Sequence, residues 1–220
     1  MQTILDSVTV ERGIDRVAAG IVIGRQCSIG PAPAGLSAAL DAAIAAARSR
    51  QETASITGPV RDMLRRGKYK PTGRGKPASE YLLQAALEDR FPRISNLVDI
   101  NNLVSLRSLL PISLVDLVRA DRTHFIVRHG RASESYVFNA AGQTIDLEDL
   151  VLLARLPGDE ACANPVKDSM ATKLDDRSTD VMAVLYAPPA LRADLVRATE
   201  AFEDALKAWG GASQTARAIV

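Results

Sequence analysis

The sequence predicts an α+β fold built as one domain, residues 1–220. Helical periodicity dominates the first half, from about residue 35 to residue 110. Short apolar runs bounded by turn residues dominate the second half, from residue 124 to residue 186. The chain has 220 residues and is 47% hydrophobic, enough for a substantial core, and no stretch reads as a linker between two units.

The elements follow in order. Val17 to Ile29 reads as an inner strand, rich in β-branched residues and closed by Gly30-Pro31. Residues 35–50 are Ala-rich with apolar positions at helical spacing and an arginine-bearing end, a helix. Ile56 to Arg66 predicts a second helix entered through Thr57-Gly58-Pro59. Lys68 to Pro77 carries two prolines and two glycines and is a loop. Ser79 to Asp89 returns to helix, with Ser79 as cap and Glu80 near the positive end of the dipole.

The most informative stretch is Arg93 to Asp116. It reads as a helix, capped by Ser95 and ended by Pro111, too apolar for a surface. Asp99, Asn102 and Ser105 nonetheless lie three residues apart on one strip of it. Polar groups on a buried helix need partners or a cavity. A fixed amide beside a carboxylate can hold an amino group or a ribose; the same side chains can instead satisfy nearby backbone.

Beyond this helix the periodicity changes. His124 to Arg128 and Glu134 to Phe138 are short strands joined through Gly130-Arg131, Asn139 to Gly142 is a turn, and Thr144 to Asp146 starts another strand. Leu150 to Leu156 and Val181 to Tyr186 are further strands. Pro188-Pro189 opens a last helix that runs to Trp209 and stops at Gly210-Gly211.

Charge and composition narrow the function. With 27 basic and 26 acidic side chains the net charge is +1, so no global field commits the protein to nucleic acid. Only 4% of residues are aromatic, which argues against broad base-stacking platforms. No run approaches a membrane span, and the N-terminus has no secretory pattern, so a cytoplasmic protein is expected. Cys27 and Cys162 form no ligand pair by spacing, and His124 and His129 are five apart with no cysteine nearby. On a strand that odd spacing puts the histidines on opposite faces, so no metal and no cofactor are expected.

One segment is strongly basic. Arg61, Arg65, Arg66, Lys68, Lys70, Arg74 and Lys76 give seven cations against one acid, Asp62, in sixteen residues. Cations spaced this way can contact successive phosphates, or simply form a solvated face. Gly73-Arg-Gly75-Lys76-Pro77 lacks the spacing and hydroxyl of a P-loop.

An ordered set of residues resembles a known family. Val98-Asp99, Asn102, Ser105-Leu106, Leu110-Pro111 and Asp116-Leu117 are followed by Phe125-Ile-Val-Arg128 and Glu134. Asn164-Pro165-Val166, Asp168-Ser169, Thr172, Asp175 and Thr179 come next, and Lys70-Pro71-Thr72 and Ser79 to Leu83 precede. Over about residues 15–190 the pattern is similar to the B3/B4 domain of the phenylalanyl-tRNA synthetase beta subunit, and more closely to stand-alone B3/B4-domain proteins.

The resemblance implies a three-layer β/β/α sandwich, with residues 191–209 an added C-terminal helix. It implies tRNA or aminoacyl-tRNA as partner, and editing of mischarged aminoacyl-tRNA as a further activity. The chain lacks the other parts of a synthetase, so such a role acts in trans. Asn102, Asp168 and Ser169 are the catalytic candidates under this reading. Asp99, Ser105, Ser113, Thr172 and Val184 would line the pocket. The pattern departs from the family at two of these positions: Ser113 stands where the synthetase has a histidine, and Val184 where it has a glutamate. The loop at residues 164–172 is also not glycine-rich. A protein that has kept an amino-acid-sized pocket and lost RNA binding is the competing expectation.

Overall fold

A computed structural model describes residues 2–3, 8–50 and 52–220. In chain order the elements are β1 (Gln2–Thr3), β2 (Thr9–Arg12), β3 (Ala18–Arg25), α1 (Ala34–Ser49), α2 (Ala54–Leu64), α3 (Ala78–Leu87), α4 (Asn96–Ser108), β4 (Ile112–Asp116) and α5 (Leu117–Ala120). There follow β5 (His124–His129), β6 (Ser135–Val137), β7 (Thr144–Asp146), β8 (Val151–Arg155), β9 (Glu160–Ala163), β10 (Val181–Ala187), α6 (Arg192–Trp209) and β11 (Gln214–Ile219). The fold is α+β.

Two larger sheets carry it. One has the order β1-β2-β5-β8-β9, and the other the order β11-β3-β10-β4. β6 and β7 form a separate hairpin. β10 lies at the centre of the four-stranded sheet, antiparallel to β3 and β4, and all seven of its residues are buried. Its unbroken apolar run is what a strand covered on both faces requires.

α6 packs onto that sheet, and α1 onto α3 and α4, through stripes the sequence sets. In α1, Leu36, Leu40, Ala43 and Ala47 recur at helical spacing and are buried. In α6 the buried set is Leu195, Ala198, Thr199, Phe202, Glu203, Ala205 and Leu206. α6 approaches β3 so closely that a Cβ at Gly20 would meet the Thr199 hydroxyl at 2.1 Å. α4 packs against both α1 and α6. A single hydrophobic cluster joins these helices to residues of both large sheets.

Several elements differ from expectation. The helix expected from Ser95 to Pro111 ends at Ser108, and Leu109 turns into the left-handed region at φ 60°. Pro111 then leads into β4, a buried strand whose Ile-Ser-Leu-Val-Asp run continues the apolar character of the helix and so hid the change. α2 begins at Ala54 and contains Gly58-Pro59 inside the helix rather than at its entrance. Pro77 takes the cap position of α3, and Ser79 is buried within the helix with its hydroxyl unbonded. β2, β9 and β11 are short or weakly apolar and went unread. β5 and β6, expected as neighbours through Gly130-Arg131, belong to different sheets.

Candidate functional site

The polar strip of α4 resolves residue by residue. Asp99 is buried, and its Oδ1 accepts the Ile94 N–H at 3.0 Å, tying off the chain before the helix. Burial pushes the Asp99 carboxyl above its ordinary range, while the Ile94 N–H and Arg93 pull the other way. Ser105 Oγ donates to the Leu110 carbonyl at 2.8 Å, closing the other end of the helix. Asn102 is buried beside Asn101, whose amide nitrogen lies 3.4 Å from its Oδ1. Ser95 occupies the cap position, but its hydroxyl is buried and unbonded. Asn96, which the sequence reading passed over, staples the helix start: it accepts from Gly30 N–H and donates to the Ser28 and Trp209 carbonyls. Asp99 and Ser105 thus bond to main chain, as internal caps do.

Ser113, Asp168, Thr172 and Val184 do come together, around the open edge of β4. An edge strand presents unpaired N–H groups. Here the loop at residues 164–172 supplies the acceptors that a neighbouring strand would. Leu114 N–H donates to Asp168 Oδ2 at 3.1 Å, and Asp116 N–H to the Thr172 carbonyl at 2.8 Å. Ser113 Oγ donates to the Asn164 carbonyl at 3.0 Å, lies within reach of the Asp168 carboxylate, and accepts from the Tyr186 hydroxyl at 3.2 Å. Val184 is the direct cross-strand partner of Ser113 and is fully buried. Two residues 71 positions apart are therefore neighbours in the sheet, both fully buried.

The loop itself is held by its own side chains. Asn164 Oδ1 accepts from Val166 N–H and Lys167 N–H, each at 2.8 Å. Ser169 Oγ accepts from Ala171 N–H at 3.2 Å, and Thr172 Oγ1 donates to the Cys162 carbonyl at 2.8 Å. Asp168 is half-buried as a residue, and its carboxyl is enclosed. Burial lifts that carboxyl to about 6, against the opposing pull of Ser113, Leu114 N–H and Asn164 N–H. Burial also pushes the Cys162 thiol far up and the Cys27 thiol up to about 11. Neither thiol is a ready nucleophile.

An open cleft of about 1000 Å³ lies beside this loop. One wall is the basic segment, Lys68 to Gly75; the other is the β6–β7 hairpin at Phe138 and residues 142–146. Lys167, from the loop just described, also lines it, as do the acids Asp146 and Glu148, and sits 4.0 Å over the Phe138 ring. Arg128 braces the hairpin wall: its guanidinium meets both Glu134 oxygens, at 2.9 and 2.8 Å, and Asp159 at 2.6 Å.

The seven predicted cations divide into two groups. Arg61 is held by Glu80, Arg65 faces Asp62 at 3.4 Å, Arg66 faces Asp149 at 3.3 Å, and Lys68 meets Glu148 at 2.7 Å. Lys76 is half-buried and close enough to Glu88 to help lower its pKa, although Gln84 and Arg90 lower it more. Lys70 and Arg74 are exposed, line the cleft, and make no ion pair among the described contacts. The segment is also more ordered than a bare Gly-Pro loop. Arg66 and Tyr69 form a β-bridge, residues 73–75 make a 3-10 turn, and the Tyr69 and Tyr81 hydroxyls donate to the Gly75 and Gly73 carbonyls.

No known family profile and no curated protein matches this chain. Among the described residues no group of histidine, cysteine and carboxylate side chains could hold a metal ion, and no helix is long and apolar enough to cross a membrane. His124 is paired with Glu11 at 2.6 Å. Lys167 and Phe138 are the site residues that sequence reasoning missed. Each belongs to a segment it had read, but nothing in the sequence joined residue 138 to residues 68–75.

Proposed function

We propose that this chain is an RNA-binding protein of the B3/B4 type, and that the cleft between residues 68–75 and the β6–β7 hairpin receives the phosphate backbone of tRNA. One observation carries the reading. Lys70, Arg74 and Lys167, from two segments nearly 100 residues apart, face a single open cleft, and the first two make no ion pair among the described residues. Phosphate contacts of this kind give affinity and register without reading sequence. The order of residues that resembles the B3/B4 domain supports the same assignment.

Binding stands ahead of hydrolysis in this proposal. Asp168 is engaged in holding the loop against β4 and Ser169 in a bond within the loop, Asn102 lies on the helix away from that loop's bonds, and the histidine and glutamate of the resembling family are replaced. Single-turnover hydrolysis of mischarged tRNA should therefore be no faster for the wild type than for Asn102→Ala or Asp168→Asn. Exchanging Lys70 and Arg74 for glutamate should abolish retention of tRNA on a filter at low salt. Retention equal to wild type would remove the cleft from the account.

A second reading has its own observation. A groove of about 530 Å³ between α4 and α6, lined by Ile56, Leu103, Val104 and Trp209 with Arg107 and Arg197 at its rim, has the size of a small-molecule site. Stabilisation of the fold by a free amino acid or nucleoside, with no tRNA affinity, would select that reading.

A further inference from the structure

The geometry points to Asp149 as the positioning residue of the cleft, a side chain that touches no ligand but sets where the basic segment presents its cations. The inference rests on the RNA-binding reading above. Asp149 follows the turn after β7 and adopts φ 67°, a left-handed conformation unusual for a residue with a side chain. Its carboxylate reaches across to the basic segment. Oδ2 accepts the Lys68 N–H at 2.9 Å, and Oδ1 lies 3.3 Å from Arg66 Nε.

The residue between those two partners is Gly67, at φ 41°. A Cβ there would stand 2.0 Å from Asp149 Oδ2, so the contact itself requires glycine. The Arg66–Tyr69 bridge closes the turn around the carboxylate. Tyr69 then carries the constraint onward, because its hydroxyl donates to the Gly75 carbonyl at 2.5 Å. Lys70 and Arg74 lie between these two fixed points. Asp149 is held in turn just beyond the end of β5, its own N–H donating to the Gly130 carbonyl at 3.0 Å. A chain of contacts thus runs from the sheet, through one carboxylate, to the spacing of two free cations. Fixing that spacing before binding removes the cost of ordering the segment on the RNA.

The test exploits a sign. Removing an acid beside a phosphate site should tighten RNA binding if charge alone matters. Removing the anchor of the segment should weaken it. Filter binding of a deacylated tRNA to full-length Asp149→Ala is expected to be about tenfold weaker than wild type. Asp149→Asn, which keeps an acceptor for the Lys68 N–H, should recover part of the loss. Amide exchange should speed at Lys68 and Gly75 in Asp149→Ala while exchange in β10 is unchanged.

Binding by Asp149→Ala equal to or tighter than wild type overturns the inference, provided Lys70→Ala/Arg74→Ala still binds weakly. If the double variant binds like wild type, the cleft reading itself has failed and this inference falls with it. Should Asp149→Ala not fold, Asp149→Asn decides: weaker binding supports the positioning role, and equal or tighter binding ends it.

Discussion

Replacing Asp168 with asparagine should change how stability depends on pH. The Asp168 carboxyl titrates at about 6 in the folded chain, against an ordinary 3.8. The folded state therefore holds this proton more tightly than the unfolded state. Its contribution to stability is fully present below pH 3.8 and is lost as pH rises through about 6. Each pKa unit is worth about 1.4 kcal/mol, so the loss between pH 4 and pH 7.5 is about 3 kcal/mol. For a chain of this size that is roughly 6–12 °C in melting temperature. Asparagine cannot titrate, and it keeps an acceptor for one of the two N–H groups that Asp168 serves. The variant should be the less stable protein at pH 4 by about 1–2 kcal/mol, the cost of one unmet buried donor. It should draw level with wild type, or pass it, by pH 7.5. The assay is urea unfolding of both proteins at half-unit steps of pH. Parallel curves would refute the claim that this carboxyl is enclosed at the edge of β4.

Other outcomes follow from the same structure. Burial would raise the Glu203 carboxyl, but hydrogen bonds from Lys207, Thr215 and Arg217 hold it at about 2. That stabilisation is present above the ordinary glutamate range and is lost as pH falls toward 2. Glu203→Gln should cost about 2 kcal/mol at pH 7 and flatten the acid limb of the stability curve, read by urea unfolding. Cys27 and Cys162 are buried with raised pKa values, so iodoacetamide at pH 8 should modify neither until the chain is unfolded; rapid labelling of Cys162 in the native protein would contradict its placement.

The sequence made much of the fold legible because long periodic segments encode it directly. The stripe of α1, the all-round apolarity of α4 and the unbroken run of β10 each announce how many of their faces are covered. Boundaries were legible only where backbone chemistry marks them, as at Gly210. They failed where apolar character continues across a change of element, as from Leu106 through Leu109 into β4. The candidate site was legible in part. The basic segment is a local feature of composition, but its division into paired and unpaired cations depends on Glu80, Asp149 and Glu148, whose positions only the fold supplies. The polar strip of α4 was visible as a pattern, yet pattern cannot tell a side chain aimed at a cavity from one aimed at backbone. Asp99 and Ser105 are of the second kind. Asp168 is visible in the sequence as chemistry, while the need it meets, the Leu114 N–H on the edge strand β4, depends on a pairing that only the fold supplies.

In the proposed function, the cleft beside Lys70 and Arg74 is a phosphate-binding surface. The salt dependence of tRNA binding tests it most directly. With Lys70, Arg74 and Lys167 as the contacting cations, log K should fall with log salt at a slope of about −2 to −3. Lys70→Ala/Arg74→Ala/Lys167→Ala should bring the slope near zero. A wild-type slope near zero, or one that the triple variant leaves unchanged, would contradict it.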